Sequence, residues 1–159
     1  MGMLGLSMGG MEAFLVAAMD DRVRTVVSVA GQLCWTDIFA AGPWKKIFAG
    51  LDLRHELVRT GTEGSQALAA FNTNYPELAT VDAASVAPLL APRPLLLMVG
   101  AEDPLIPVAA AKRTYESALS AYEGMGREKR VELWVAENAG HGFPLVMHRK
   151  ALDWFTRWL

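Results

Sequence analysis

Near its amino terminus the chain reads Gly5-Leu6-Ser7-Met8-Gly9-Gly10, or GLSMGG, and the rest of the sequence is best understood from this stretch. An apolar run at residues 1–6 leads into it, and residues 11–19 after it have the composition of a helix. Small residues around a serine, between a strand and a helix, are typical of a sharp turn that projects the hydroxyl from the top of a sheet. The structural alternative is a glycine-rich turn in which Ser7 only caps the helix.

Three later stretches have the composition of strands. Residues 24–30 (RTVVSVA) are rich in β-branched side chains, and residues 94–100 (PLLLMVG) form an almost continuous apolar run, typical of a strand covered on both faces. Residues 131–135 (VELWV) alternate between apolar and polar, which predicts a strand nearer an edge of the sheet. Helices are predicted after these strands, at residues 108–122 and 144–159.

Strands that alternate with helices predict an α/β fold with right-handed crossovers. We expect a single domain over residues 1–159, built on a small, mostly parallel sheet of about four strands with helices on its faces. Residues 33–75 interrupt the alternation and are rich in bulky apolar side chains, so we expect a helical insertion or cap there. Placed near the carboxyl ends of the strands, such an insertion would cover a ligand site.

The composition is that of one soluble globular domain. Of the 159 residues, 52% are hydrophobic and 20% are charged, and the net charge of -2 with scattered Lys and Arg argues against a nucleic-acid partner. The single cysteine, Cys34, has no internal disulfide partner and is expected to be a small buried side chain in a reducing compartment. No apolar run approaches the roughly 18 residues that span a bilayer, so we expect a cytoplasmic protein with no membrane partner.

Two polar side chains follow the later strands. Asp103 lies in the GAEDP loop after the apolar strand, and His141 lies between Gly140 and Gly142 after the last predicted strand. The carboxyl ends of parallel strands meet at one edge of a sheet, so we expect Ser7, Asp103 and His141 to converge there. In a triad of this order the serine attacks, the histidine takes its proton and the aspartate orients the imidazole.

Each of these residues also has a structural interpretation. Asp103 is a good turn residue before a proline, and His141 is interpretable as an ordinary loop residue, because aspartate and glycine are common in turns. Glu102 and Glu137 are alternative acids of lower rank, since Glu102 points away from Asp103 in an extended segment and Glu137 is close to the histidine in sequence. The other histidines are expected to be solvated helix residues: His55 and His148.

Three segments resemble the nucleophile, acid and histidine segments of α/β-hydrolases: GLSMGG, APRPLLLMVGAEDPLIP and NAGHGFP. The resemblance is in particular to dienelactone-hydrolase-like and acetyl-xylan-esterase-like enzymes. It implies an ester-hydrolysing serine enzyme that needs no metal and no organic cofactor. In such an enzyme Ser7 would be the nucleophile, Asp103 the acid and His141 the base.

The resemblance also implies a truncated α/β-hydrolase fold, the C-terminal half. Complete members have several strands before the serine turn, and a loop after one of them donates one of the two N–H groups of the oxyanion hole. The other implied donor is the backbone N–H of Met8. A replacement for the first donor would come from the loop around Gly31 and Gln32 or from another chain. We expect the first strand to be an exposed edge that a homo-oligomer, most simply a symmetric dimer, covers.

The function expected from these residues is hydrolysis of small, short-acyl carboxylic esters. The bulky side chains of the insertion either wall a compact pocket or form core: Trp35, Phe39, Trp44 and Phe48. The alternative is a non-catalytic or complementation-dependent hydrolase half that serves as a binding or assembly module. A peptidase, thioesterase or acyltransferase would use the same triad with a different pocket.

Overall fold

Four parallel strands form the sheet in this computed structural model, which describes residues 1–48 and 64–159. They lie in the order in which they follow one another in the chain: β1 (Gly2–Leu6), β2 (Thr25–Val29), β3 (Leu95–Gly100) and β4 (Val131–Ala136). The α/β class is confirmed. Every strand predicted from the sequence is present, with each end within one residue of the prediction.

The register of the sheet brings the carboxyl ends of the strands to one edge. Leu6 at the end of β1 pairs with Val29, and Val29 at the end of β2 pairs with Met98. Gly100 at the end of β3 pairs with Ala136 at the end of β4. The loops that follow β1, β3 and β4 therefore leave the sheet on the same side.

Helices cover both faces of the sheet. The helix α1 (Met8–Met19) begins directly after the serine turn, α7 (Val108–Gly124) follows β3, and α8 (Leu145–Trp158) follows β4. These confirm the helices predicted from sequence. Between β2 and β3 lie shorter helices: α2 (Trp35–Ala41), α3 (Trp44–Ile47), α4 (Gly64–Asn74), α5 (Pro76–Ala79) and α6 (Ala83–Val86).

The core has one layer on each side of the sheet. Leu95 and Leu97 of β3 belong to the cluster that contains Phe14 of α1, whereas Leu96 and Met98 belong to the cluster on the α8 side. All six residues of β3 are buried. Burial on both faces is the reason that this strand is an unbroken apolar run rather than an alternating one.

The last helix, α8, carries apolar residues on two faces, of which only one is fully buried. Met147, Ala151 and Trp154 are buried, and the indole Nε1 of Trp154 donates a hydrogen bond of 3.1 Å to Thr25 Oγ1. Leu152 and Leu159, by contrast, are each 65% exposed. Amphipathic spacing alone does not separate these sets, because both recur at helical intervals.

The described parts of the segment predicted as an insertion are mostly helical, and helical turns continue beyond it as far as Leu90. Residues 49–63, which include His55, lie outside the described residues. The bulky aromatic side chains of the segment are at most 8% exposed: Trp35, Phe39, Trp44 and Phe48. Three of them pack around Phe71, and Trp44 stacks on Phe39. This burial favours the core interpretation over a pocket wall. No helix in the described ranges has the length and hydropathy that crossing a membrane requires.

Cys34 gives a first prediction, that its thiol is unreactive in the folded protein. It is 1% exposed, and burial raises the pKa of the thiol from 9.0 to about 12. A group whose pKa is raised on folding stabilises the fold fully below its unfolded pKa, so this contribution falls as the pH rises above about 9. We expect iodoacetamide to label Cys34 only after unfolding. We also expect urea-unfolding free energies to fall less steeply between pH about 9 and about 10 in Cys34→Ala. Rapid native labelling would contradict this.

Candidate active site

The turn after β1 presents Ser7 in a strained backbone conformation. Its φ is 58° and its ψ is -119°, in a region that residues with a Cβ rarely occupy. The Ser7 N–H donates to the carbonyl of Val29 in the neighbouring strand at 2.8 Å, and the Gly10 N–H donates back to the Ser7 carbonyl at 2.9 Å. The chain thus reverses from strand into helix at Ser7, as the GLSMGG pattern predicts.

Glycines at two positions allow this turn to form. A Cβ on Gly5 would lie 1.9 Å from the carbonyl oxygen of Gly9, and a Cβ on Gly31 would lie 2.4 Å from the carbonyl carbon of Gly10. Such distances are far below van der Waals contact, so strand β1, helix α1 and the loop after β2 approach more closely than any side chain permits. Gly9, by contrast, has open space where a Cβ would stand.

Asp103 and His141 form a close pair. The imidazole Nδ1 lies 2.9 Å from Asp103 Oδ2 and 3.1 Å from Oδ1. The carboxylate side chain is fully buried, whereas the imidazole is 21% exposed. Because a carboxylate only accepts hydrogen bonds, Nδ1 carries the proton and donates it, which leaves Nε2 of His141 as an acceptor. This is the tautomer that a general base requires.

The Asp103 carboxylate is held by its own loop. Its Oδ1 accepts the backbone N–H groups of Leu105 at 2.8 Å and of Ile106 at 2.9 Å. These bonds lie within the loop after β3 and hold the side chain independently of the imidazole. Hydrogen bonds from N–H groups to a carboxylate are stronger than those between neutral groups, so they hold the side chain firmly.

The loops that carry the acid and the histidine are packed against each other. A Cβ on Gly100 would stand 2.1 Å from the carbonyl oxygen of Ala139, and the Glu102 N–H donates to that carbonyl at 2.9 Å. Asn138 adopts a positive φ of 54°, which turns the chain after β4 back toward β3. Asparagine tolerates this left-handed conformation better than most residues do. The histidine is thereby brought over the end of the neighbouring strand.

The structure joins two members of the predicted triad and brings the third to the same edge. The Ser7 hydroxyl makes no hydrogen bond to His141 or to any other residue in the ranges 1–48 and 64–159. Catalytic hydrogen bonds are often long in unliganded enzymes and shorten when substrate binds. Met8 is the first residue of α1, so its N–H has no acceptor within the helix and remains available to a ligand.

The alternative acids do not compete with Asp103. Glu102 and Glu137 are both exposed, and neither is hydrogen-bonded to His141. His148 is exposed on α8, as predicted, with its ring 3.9 Å from that of Phe143. Among the described residues no three His, Cys, Asp or Glu side chains are grouped as a metal ion would need.

Known proteins are similar to this chain in sequence or in fold, although no family model matches it. The chain is 27% identical over 159 residues to the protein named "Putative hydrolase YtaP" of Bacillus subtilis (strain 168). The match covers 99% of this chain and 46% of that protein. The fold of this chain matches that of the Pyrococcus furiosus esterase Pf2001 with a TM-score of 0.62 and 22% identity, over 99% of this chain and 53% of the esterase. The fold also matches a family 15 glucuronoyl esterase from Caldicellulosiruptor kristjansonii with a TM-score of 0.67 and 18% identity, over 95% of this chain and 41% of that one.

In fold the chain is similar to α/β-hydrolases. It spans about half the length of the curated relative it matches. Its four-stranded parallel sheet corresponds to about half of the matched α/β-hydrolase structures.

Behind the serine turn lies a buried polar contact that the sequence did not predict. Ser28, inside β2, is fully buried, and its hydroxyl donates to the carbonyl of Gly10 at 3.1 Å. The Gln32 amide Nε2 donates to the Ser28 carbonyl at 3.0 Å. These bonds tie the first turn of α1 to β2. The available signal was a serine in the middle of an otherwise apolar strand.

The strain at Ser7 gives a second prediction. We expect Ser7→Gly to unfold with a free energy about 1 kcal/mol higher than Ser7→Ala, because glycine adopts a positive φ without a Cβ penalty. Both variants lack the hydroxyl, so the comparison isolates the backbone strain. Urea denaturation monitored by circular dichroism measures the difference. Equal midpoints, or a more stable alanine variant, would show that the turn at Ser7 is unstrained.

Proposed function

We propose that this protein is a serine hydrolase of carboxylic esters that forms an acyl-enzyme on Ser7. The observation that carries the proposal is the buried Asp103 carboxylate bound to Nδ1 of His141 at 2.9 Å, at the sheet edge from which Ser7 projects. A buried acid that orients a partly exposed imidazole is the arrangement that general-base catalysis needs. The similarity to a protein named as a putative hydrolase and the esterases among the similar structures support the proposal.

The chemistry follows from the proton positions. Nε2 of His141 takes the proton of the Ser7 hydroxyl as Oγ attacks the ester carbonyl, and the Asp103 carboxylate stabilises the imidazolium that forms. The N–H of Met8 donates to the oxyanion of the tetrahedral intermediate. His141 then returns the proton to the leaving alcohol, and a water molecule activated in the same way releases the acid from Ser7.

We propose small, short-acyl esters as the substrates. The aromatic side chains of α2 and α3 are packed into core rather than arranged around an open cleft. Aromatic side chains buried in this way leave little apolar surface with which to bind a long acyl chain. Short chains lose little binding energy in such a site, because the gain from burying each methylene is only about 0.8 kcal/mol.

The described residues supply one oxyanion donor, the backbone N–H of Met8. Gln32, an expected source of a second one, uses its side-chain amide on Ser28. Loss of one donor typically lowers the rate by about 10² to 10³, or about 3 to 4 kcal/mol, without abolishing catalysis by the triad. We therefore propose slow ester hydrolysis by this chain alone.

Hydrolysis of p-nitrophenyl esters of increasing chain length tests the function directly. We expect activity that declines from acetate to octanoate, and covalent labelling by a fluorophosphonate that is lost in Ser7→Ala. Ser120→Ala is the matched control, since Ser120 is exposed on α7 and far from the turn in sequence. A folded wild type that neither hydrolyses the acetate ester nor reacts with the fluorophosphonate would contradict the proposal.

A second candidate function, as an assembly module, is favoured by the open edge of the sheet. β1 pairs only with β2, so its outer N–H and C=O groups have no strand partner in the described structure. Exposed apolar side chains flank this edge: Leu4 and Leu6 in β1, and Met8, Val16 and Met19 in α1. Parallel strands are normally covered on both faces and along both edges, so this surface is a docking surface.

We propose that a second copy of the chain occupies the open edge. A two-fold axis perpendicular to the sheet would pair β1 with its copy and bring the apolar residues of α1 against their counterparts. Sedimentation should give a dimer at micromolar concentration, and Leu4→Lys should give a monomer because a charge in an edge strand opposes pairing. Leu89→Lys is the control, since Leu89 is 63% exposed but lies outside the edge. A wild-type monomer would contradict the dimer.

A further inference from the structure

A cavity of about 290 Å³ lies at the amino edge of the sheet, opposite the candidate active site. Three of its lining residues are arginines that stand one or two positions before successive strands: Arg24 before β2, Arg93 before β3 and Arg130 before β4. Because the strands are parallel and adjacent, their amino ends meet in the same way as their carboxyl ends do. The cavity is separated from the triad by the length of the strands, about 15 to 20 Å.

The fold holds two of these guanidinium groups in place. Arg93 donates from one terminal nitrogen to the carbonyl of Val23 at 3.0 Å, and Arg130 donates from one terminal nitrogen to the carbonyl of Pro92 at 3.3 Å. The guanidinium of Arg130 also lies 5.4 Å from the ring centre of Trp158. Each group keeps further N–H donors, because a guanidinium carries five in a fixed fork.

Arg24 is the third cation of the cavity and is differently placed. Its side chain is exposed and makes no hydrogen bond or ion pair with any residue in the ranges 1–48 and 64–159. Its backbone is fixed, since the Arg24 N–H donates to the carbonyl of Met1 at 2.8 Å. An exposed guanidinium on a fixed backbone is suited to bind an anion that the other two groups hold.

The negative charge near the cavity does not balance these cations. Asp21 lines the cavity and lies 3.7 Å from Arg93, but its side chain is fully solvent-exposed, so water screens the pair. Asp20 is occupied by Arg22 at 2.7 Å. The neighbouring surface around Trp158 adds three cations and one carboxylate: Arg127, Lys129, Arg157 and Glu128. In a chain whose net charge is -2, this is a local excess of positive charge.

We propose that this arginine cavity binds a phosphate group, either free phosphate or the phosphate of a small monoester. Tetrahedral phosphate offers oxygens to several guanidinium forks at once, and a dianion relieves the mutual repulsion of the three arginines. Pro92, Pro94 and Trp158 supply an apolar wall beside the cations, which suits the organic part of a monoester. The proposal is independent of ester hydrolysis, because the cavity and the triad lie at opposite edges.

Isothermal titration of the full chain with inorganic phosphate, with AMP and with uncharged adenosine tests the site. We expect saturable binding of phosphate or AMP and none of adenosine. Tighter binding of AMP would identify a monoester as the ligand, and equal affinities would identify free phosphate. Absence of saturable binding by both anions at millimolar concentration would overturn the proposal.

Three variants make the assignment specific. Arg24→Gln should weaken the binding of phosphate at least about fivefold, because one charge-assisted contact is lost while the fold keeps all its described bonds. Asp21→Asn should tighten binding about twofold or more, since a competing carboxylate is removed. Arg149→Gln, on the exposed surface of α8, is the control and should bind as the wild type does. Equal affinity in Arg24→Gln and Arg149→Gln would overturn the assignment.

Discussion

Asp103→Asn is expected to lower kcat for ester hydrolysis by about 10⁴-fold while leaving the fold intact. In the native carboxylate, Oδ1 is held by the N–H groups of Leu105 and Ile106, and Oδ2 faces Nδ1 of His141 at 2.9 Å. Asparagine keeps an oxygen for the two N–H groups, so its NH₂ takes the position that faces the imidazole. That amide donates, which forces Nδ1 to accept and moves the ring proton to Nε2.

A histidine protonated at Nε2 cannot accept the proton of the Ser7 hydroxyl, so the expected loss is in the chemical step. The measurement is kcat for p-nitrophenyl acetate, and the rate of fluorophosphonate labelling where turnover falls below detection. The control is Glu102→Gln, because Glu102 is the adjacent acid and is exposed. A loss of similar size in Glu102→Gln, with activity kept in Asp103→Asn, would reverse the assignment of the acid.

Gly5→Ala is expected to destabilise the protein by about 3 kcal/mol or more, a large effect for one methyl group. The added Cβ would stand 1.9 Å from the Gly9 carbonyl oxygen and 2.7 Å from the Gly10 nitrogen. Both neighbours are backbone atoms of the serine turn, so relief requires β1 and α1 to move apart. Activity should be lost with the turn, because Ser7 would no longer be held against β2.

Gly9→Ala is the matched control for this prediction. It changes the other glycine of the same motif, but no atom lies within 4 Å of its Cβ position. Alanine is also the better helix former by about 1 kcal/mol, so stability should be unchanged or slightly increased. Urea denaturation and ester hydrolysis of both variants provide the measurement. Similar stabilities for the two variants would show that the close approach of strand and helix is not required.

Most of the fold was predictable because its signals are local. The apolar run of β3 and the alternation of β4 reflect how many faces of each strand are covered, and side-chain periodicity records this directly. The GLSMGG turn was equally predictable, since Gly5 is required by the close approach of strand and helix. The helices α1, α7 and α8 followed from composition and from stop signals.

The buried face of α8 and the role of the aromatic side chains were harder to predict from the sequence. Met147 and Leu152 each belong to a set of apolar residues at helical spacing, yet only Met147 is buried. Likewise Phe39 and Trp44 were compatible with a pocket wall or with core until their packing was known. Neither choice is encoded in spacing, because both depend on which surface of the sheet each element meets.

The sequence by itself determined the strands, the serine turn and the chain order of a serine, an aspartate and a histidine after successive strands. Only the tertiary structure joined the Asp103 carboxylate to Nδ1 of His141, buried the aromatic side chains of α2 and α3 in the core, and gathered three arginines at the amino edge of the sheet. Composition and period are properties of neighbours along the chain. Burial and pairing depend on residues distant in sequence, which meet only when the sheet has formed.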